Sequence, residues 1–272
     1  MNVASGLAAG LDLLLPSRCA GCAGVDGGNG RNRGNVGNLA EHRVRGLCAR
    51  CRDEIRRASP LAWQLHAADG AATLPGFASS AYDGVIRSAL LDYKERGRLC
   101  LRFELADSLL VGVLAAAITT GVVNAAITTG GRTPLSQRSL LLVPVPSAWA
   151  TRRARGHDPV GALATLAARQ LRALRIDARA VRALRQGRAV GDQAGLDVAS
   201  RWANLAGALA VSRPARIRGR DVIVVDDIVT TGATAREAAR ALSSAGARVL
   251  AVACVAATPR RFRAGDTAQV SG

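Results

Sequence analysis

Residues 222–234 constrain this chain more than any other segment, because they join an apolar run to a helix-forming run through a short polar loop. They read Val-Ile-Val-Val-Asp-Asp-Ile-Val-Thr-Thr-Gly-Ala-Thr. The aliphatic residues predict a buried strand with two carboxylates at its carboxyl end. Free backbone N–H groups where the helix opens favour a phosphate. Asp226 and Asp227 are placed to accept hydrogen bonds from the hydroxyls of a ribose. The segment therefore predicts a sugar-phosphate site.

Strands alternate with helices along the chain. Strands are predicted at 77–82, 139–145, 221–225 and 248–256, and helices at 84–94, 101–117, 159–174, 196–209 and 232–245. A helical linker is predicted at 52–75. This alternation predicts an α/β fold with a parallel sheet and helices on both faces. Ligands of such sheets bind at the carboxyl ends of strands, so the chemistry is expected just after Val145 and Val225.

The charge is strongly positive. The chain carries 37 Lys and Arg against 20 Asp and Glu, a net +17, and Lys94 is its only lysine. Residues 151–220 hold 15 Arg against 4 Asp. Such an excess favours polyanions, either nucleic acid or phosphorylated metabolites. An Arg- and Ala-rich composition typical of a GC-rich genome is the alternative. Aromatic residues make up only 3%, which argues against a single-strand binder that stacks bases and leaves a contact with the backbone alone.

The apolar stretch 109–127 raises the question of a membrane span, since it carries no charge. Its Ala, Thr and Gly content and Asn124 lower its tendency to insert. The first 18 residues lack the basic start of a secretory signal. We therefore expect a cytoplasmic protein with no membrane partner.

Four of the six cysteines form two pairs, Cys19-x2-Cys22 and Cys48-x2-Cys51, separated by 25 residues. Four thiolates are the tetrahedral set that Zn²⁺ takes in structural sites, so a structural zinc is predicted. Unligated or redox-active cysteines are the alternative. The intervening residues 24–45, rich in Gly and Asn, are expected to form a flexible insert. Cys100 and Cys254 stand singly in apolar surroundings, where core packing is expected.

Taken together, these segments resemble the ComF family, a type I phosphoribosyltransferase-like family with an N-terminal four-cysteine module. The resemblance rests on a Leu-Leu-Leu-Pro-x-x-Cys-x-x-Cys run, a second CxxC, and the motif at 222–234, which resembles the site for phosphoribosyl diphosphate (PRPP) of type I phosphoribosyltransferases. Further matching segments are 82–94, 143–146, 152–156 and 193–204. It covers about 80% of the chain and leaves out the loops at 24–45 and 117–138.

The resemblance implies a domain division and a set of site residues. We expect a zinc module at 1–58, a phosphoribosyltransferase-like domain with a small hood at 76–260, and a flexible tail at 261–272. The PRPP site would comprise Asp226, Asp227, Thr230, Thr231, Gly232, Ala233 and Thr234, with Asp226 and Asp227 catalytic. Residues expected near the diphosphate or in the hood are Arg152, Arg153, Arg155, Gly156, Lys94, Gln193 and Arg201. Solvated surface positions are the alternative for this second group.

The resemblance also implies a reaction. Mg²⁺ and the protein would hold the diphosphate of PRPP while it leaves the ribose and a nitrogenous acceptor attacks. Thr230 stands where purine-salvage members usually carry an Asp, which argues against hypoxanthine or guanine as acceptor. The family's link to natural competence adds the alternative of a non-catalytic factor that handles single-stranded DNA or meets competence and repair proteins.

Overall fold

The computed structural model describes residues 18–23, 46–66, 73–123, 139–146, 158–187 and 207–258. The strands are β1 (Leu61–His66), β2 (Thr73–Ala81), β3 (Leu140–Pro144), β4 (Ala178–Ala180), β5 (Leu184–Gln186), β6 (Leu209–Val211), β7 (Asp221–Val229) and β8 (Arg248–Ala257). The helices are α1 (Ala49–Arg56), α2 (Gly84–Glu95), α3 (Arg102–Thr119), α4 (Pro159–Ala173) and α5 (Ala233–Ser244). Two short 3₁₀ helices cover Leu99–Leu101 and Pro214–Arg216.

Six strands form the main sheet in the order β1-β2-β8-β7-β3-β4. Every neighbouring pair is parallel except β1 and β2, which are antiparallel. Strands β5 and β6 pair separately as an antiparallel ribbon. The predicted α/β class with a mostly parallel sheet and flanking helices is confirmed. The carboxyl ends of β2, β8, β7, β3 and β4 therefore lie at one edge of the sheet.

Alternation along the central strands separates two hydrophobic cores. Ile223 and Val225 of β7 belong to one core, and Val222 and Val224 belong to the other. The first core, which we call the helix face, is covered by α2, α3 and α4. The second, which we call the ribbon face, is covered by α5 and the β5–β6 ribbon. Alternate residues of a central strand thus pack against different layers, as expected for a sheet that is covered on both faces.

The predicted helical linker at 52–75 is wrong beyond Arg56. Residues 61–66 form strand β1 instead, which pairs with β2. From Trp63 onward the sequence Leu-Ala-Trp-Gln-Leu-His alternates apolar and polar residues, and Trp63 and Leu65 are buried on the ribbon face. Period-two burial in the sheet outweighs the helix propensity of the segment. The predicted strand at 77–82 accordingly begins earlier, at Thr73.

Two other boundaries differ from expectation. The helix predicted at 196–209 does not include its last residue, because Leu209 begins β6 and its N–H donates to Glu237. Residues 196–206 lie outside the described residues. Strand β7 continues to Val229 rather than ending at Val225. The strand is longer because β8 pairs with it up to Val229, which lies opposite Ala257. Asp226 and Asp227 therefore lie within the strand.

The cysteine segments pack against the helix face. Cys19, Cys51 and Ile55 belong to the same core as Val85 of α2. Arg98 links the two parts directly, since it donates to the backbone oxygen of Arg18 and to Asp92 of α2. The domain boundaries given above stay a prediction.

Helix α3 contains much of the apolar stretch at 109–127. Its residues Leu105, Leu109 and Val113 are fully buried in the core of the helix face. Across the part of the chain that the structure describes, no helix has the length and apolar character needed to cross a membrane.

Candidate phosphate and ribose site

The loop after β7 turns the chain sharply into α5. Gly232 occupies the left-handed region with φ of 72° and is the residue immediately before the first helical position, Ala233. A residue with a Cβ is strained at this φ. The hydroxyl of Thr231 accepts a hydrogen bond of 3.4 Å from the N–H of Ala233. The opening turn of a helix carries N–H groups without intrahelical partners, so the loop offers donors and a positive helix end to an anion.

Asp226 and Asp227 leave opposite faces of β7, because neighbouring strand residues alternate. Asp226 pairs in register with Cys254 of β8 and is half-buried. Asp227 is 5% exposed. The backbone N–H of Asp227 donates to Asp226 Oδ1 over 2.8 Å. The two carboxylates are therefore linked through the backbone but have different surroundings.

Lys94 lies against Asp227. Its Nζ is 2.8 Å from Asp227 Oδ2, and its side chain is 22% exposed. Helix α2 carries Lys94 near its last turn, and the preceding Tyr93 is buried with its hydroxyl donating to Pro159 O over 3.2 Å. Burial raises the pKa of Tyr93 to about 12, so the phenol stays protonated as a donor. The structure thus brings a predicted site residue from the first half of the chain to the carboxylate pair.

The charge state of Asp226 follows from these neighbours. Burial raises the pKa of its carboxyl well above the usual range, and the adjacent Asp227 carboxylate raises it further. The ammonium of Lys94 and the N–H of Asp227 act in the opposite direction. The ionised form of Asp226 is therefore disfavoured. Asp227, in contrast, has a cation at hydrogen-bond distance.

The remaining predicted hood and diphosphate residues lie outside the described residues: Arg152, Arg153, Arg155, Gly156, Gln193 and Arg201. The segments that flank them are described. Asp158 caps α4 through a 3.0 Å bond from the N–H of Gly161 to its Oδ1. Its Oδ2 accepts 2.7 Å from Nε of Arg182. Sequence reasoning missed this pair, although an Asp before Pro159 is a typical helix start.

The four paired cysteines come together at the amino end of α1. The Sγ atoms of Cys19, Cys22, Cys48 and Cys51 all lie within 4.8 Å of one another. A tetrahedral zinc with Zn–S bonds near 2.3 Å separates its sulfurs by about 3.8 Å, and Cys22 Sγ and Cys48 Sγ are 4.0 Å apart. A Cβ on Gly21 would stand 2.8 Å from Cys51 Sγ, so glycine permits the approach of the two pairs. The cluster has the composition and spacing of a metal-ligating set.

Backbone donors tune this cluster. The N–H groups of Cys48 and Gly21 point at Cys19 Sγ over 3.3 and 3.4 Å. Burial raises the pKa of the Cys19 thiol, but these hydrogen bonds outweigh burial and lower the pKa to about 7. Burial and the neighbouring thiols raise the pKa of Cys51. Cys100 is half-buried and Cys254 fully buried, and neither belongs to the cluster.

Fold and site define an α/β protein whose candidate site lies at the carboxyl edge of a mostly parallel sheet. A family model described as the phosphoribosyl transferase domain matches residues 122–268, more than half of the 272-residue chain. The chain therefore belongs to the family of phosphoribosyl transferase domains.

Two curated relatives share a short segment with it. Ribose-phosphate pyrophosphokinase 2 of Archaeoglobus fulgidus is 54% identical over 39 residues, which is 14% of each chain. Orotate phosphoribosyltransferase of Bartonella tribocorum is 55% identical over 38 residues, which is 14% of this chain and 20% of the relative. This chain thus spans a fifth or less of the length of these relatives.

Proposed function

We propose that this protein binds PRPP and transfers its phosphoribosyl group to a nitrogenous acceptor with release of diphosphate. The observation that carries the proposal is the joined arrangement of Asp226, Asp227 and the Gly232 turn at the end of β7. The hydroxyls of a sugar phosphate would bind to the carboxylates at 226–227, and its phosphate would bind to N–H donors at 230–234. The names of both relatives refer to ribose phosphate or to phosphoribosyl transfer, which supports this ligand class.

Each part of the site has a role in this proposal. The N–H groups and hydroxyls from Thr230 to Thr234 hold the 5′-phosphate. Asp226 and Asp227 accept hydrogen bonds from the ribose hydroxyls. Their negative charge stabilises the positive charge that develops on the ribose as the bond to diphosphate breaks. Lys94 holds Asp227 in place, so the carboxylate is oriented before the ligand arrives.

The transfer is a direct displacement and needs no covalent intermediate on the enzyme. The bond between the anomeric carbon and diphosphate breaks, and its electron pair leaves with the diphosphate. The lone pair of the acceptor nitrogen forms the new carbon–nitrogen bond, and the nitrogen then releases a proton. Because Thr230 supplies a hydroxyl where a carboxylate would face a purine nitrogen, we propose an acceptor other than hypoxanthine or guanine.

Mg²⁺ fits this site by the chemistry of its donors. It prefers oxygen ligands and keeps part of its hydration, being held by one or two carboxylates together with substrate phosphates. The half-buried Asp226 is the carboxylate that would hold it, with the oxygens of the diphosphate. When bound, it neutralises charge on the leaving diphosphate.

We further propose that the cysteine cluster holds a structural Zn²⁺, as in the ComF-like architecture that the sequence resembles. Four thiolates suit zinc better than a hard cation. Four thiolates complete a tetrahedral set, which favours a closed site over a catalytic one with an open position, although only Cys19 and Cys51 are buried and Cys22 is exposed. The cluster would then stabilise the packing against α2, the helix that carries Lys94.

The test is a calorimetric titration with Mg²⁺ and PRPP. The double substitution Asp226→Asn/Asp227→Asn is expected to weaken PRPP binding at least about 100-fold, because two charged acceptors are lost. Asp53→Asn, on the exposed side of α1, is the control and should leave affinity unchanged. Unchanged affinity in the double variant would sink the site assignment. Diphosphate release with a panel of bases and amines then identifies the acceptor.

A second candidate is a non-catalytic factor that handles single-stranded DNA. It is favoured by the described residues 178–187 and 207–220, which contain seven Arg and no Asp or Glu. A DNA titration at two salt concentrations tests it, because binding through phosphates weakens steeply as salt rises. DNA binding that stays tight while no acceptor yields diphosphate would favour this candidate over the enzyme.

A further inference from the structure

A basic recess lies beside the edge strand of the sheet. Its volume is about 240 Å³, and its lining residues are Val181, Arg182, Ala183, Ser212, Arg213 and Arg216. The first three follow β4, and the last three follow β6. The two segments are joined by the bond from Ser212 N–H to Ala183 O, 2.8 Å long. Residues 25 or more apart in sequence therefore form one concave surface.

The electrostatics of the recess favour an anion. Arg182, Arg213 and Arg216 are all exposed. Within the described residues, Arg182 pairs with Asp158 through Nε alone, and Arg213 and Arg216 make no ion pair. Three arginines and Ser212 line the same recess, and each guanidinium carries five N–H donors.

The size and lining decide the class of ligand. Sites for whole drug-sized molecules hold roughly 300–1,000 Å³ and are mostly apolar, whereas this recess is smaller and its lining is largely polar. Among the residues that the structure describes, no aromatic side chain lines it, so none of them stacks on a base there. Arginine forks match phosphate oxygens in pairs. The fit is to a compact group with several negative charges.

The recess is separate from the phosphate loop. That loop follows β7, while the recess adjoins β4, and β3 lies between them in the sheet. Two strand spacings amount to about 10 Å. The far wall, Ser212–Arg216, leads to the amino end of β7, opposite the end that carries Asp226.

We propose that this recess is a second anion site, which binds the diphosphate group of a small molecule apart from the ribose site. The ligand engages Arg213 and Arg216 and competes with Asp158 for Arg182. Since Asp158 also caps α4, occupancy of the recess acts on the start of that helix. This proposal stands on the recess alone and does not require PRPP turnover.

Calorimetric titration with inorganic diphosphate, without Mg²⁺, tests the proposal on the full chain. Arg213→Gln/Arg216→Gln should lower diphosphate affinity at least about tenfold, because two charge-assisted contacts are lost. Arg57→Gln/Arg169→Gln removes the same charge at two exposed positions, one just after α1 and one on α4, and diphosphate affinity should stay within about twofold. Asp226→Asn/Asp227→Asn should keep its diphosphate affinity, which separates this site from the proposed ribose site.

Three outcomes overturn the proposal. Equal losses in both arginine variants would show only the general charge of the surface. A loss confined to the carboxylate variant would place diphosphate at the loop of β7. A single-stranded oligonucleotide that binds tighter than diphosphate and depends on Arg213 and Arg216 would make the recess part of a nucleic-acid surface. All four substituted arginines are exposed, so both arginine variants are expected to melt as the unchanged protein does.

Discussion

The helix face of the sheet is covered by three helices and the cysteine segments, whereas the ribbon face is covered by α5 and a short two-stranded ribbon. The two carboxylates of β7 divide between them. On the helix face, Asp227 is buried against Lys94. On the ribbon face, Asp226 is half-buried beside the turn into α5. The comparison indicates that the helix face contributes stability and orientation, while the ribbon face keeps polar groups within reach of a ligand.

Removing the zinc that we propose for the cysteine cluster is expected to have the largest effect on the helix face. We expect a chelator to lower the free energy of unfolding by about 4 kcal/mol and the melting temperature by roughly 10 °C, because Cys19 and Cys51 share a core with α2. Differential scanning calorimetry with metal analysis measures this. Cys100→Ser should keep its metal, since Cys100 lies outside the four-thiol cluster. Identical melting with and without metal would contradict a structural role.

Breaking the Lys94–Asp227 pair tests whether the helix face orients the site. Lys94→Met leaves a buried carboxylate without its cation, and we expect a loss of about 2 kcal/mol in unfolding free energy, given the partial exposure of Lys94. Lys94→Met with Asp227→Asn should recover most of this loss in a double-substitution cycle. Arg96→Met, at the residue that follows α2, removes a 75% exposed cation paired with Asp92 and should cost at most about 0.5 kcal/mol. Additive effects of Lys94 and Asp227 would show that the pair is not coupled.

Asp158 lies where the cap of α4 meets the basic recess, and two substitutions separate its roles. Asp158→Ala removes the cap and should cost about 1 kcal/mol in chemical denaturation. Asp158→Asn keeps a capping oxygen and removes only the charge, so stability should change little. Because both substitutions release Arg182, both should strengthen diphosphate binding. Weaker binding in Asp158→Asn would contradict the competition described above.

Substitution of Asp226 is expected to have the smallest effect on the free energy of unfolding, and it should stabilise the protein rather than destabilise it. Its raised pKa means that the folded protein disfavours the carboxylate relative to the unfolded chain, whose Asp pKa is near 3.9. The penalty is absent below that pH, grows as the pH rises from that value to the folded pKa, and is constant above the folded pKa. Asp226→Asn should therefore stabilise the protein at neutral pH, by up to about 1 kcal/mol, while PRPP binding is lost. Chemical denaturation at pH 4 and pH 7 measures the difference in unfolding free energy between the unchanged protein and Asp226→Asn. An equal gain in stability at both pH values would show that the raised pKa of Asp226 is not its cause.

Local sequence patterns were sufficient for the elements that carry the site. The aliphatic run before Asp226 forms β7, the Thr/Gly loop opens α5, and the predicted helices at 84–94 and 159–174 are confirmed with boundaries shifted by a residue or so. The two CxxC pairs come together as their spacing indicates. For the strand, the loop and the helices, the signal lies within about fifteen residues, where periodicity and turn residues act directly.

The sequence by itself therefore determined the α/β class, the strand–loop–helix of the site and the four-thiol cluster. Only the tertiary structure decided which distant residues meet. Lys94 contacts Asp227 because α2 packs on the helix face, where Asp227 leaves β7. No residue near Lys94 in the chain specifies that contact. Likewise β1 was mistaken for helix, since its strand state depends on pairing with β2. The arginine recess arises because β5 and β6 bring Val181–Ala183 beside Ser212–Arg216, a long-range packing event with no local signature.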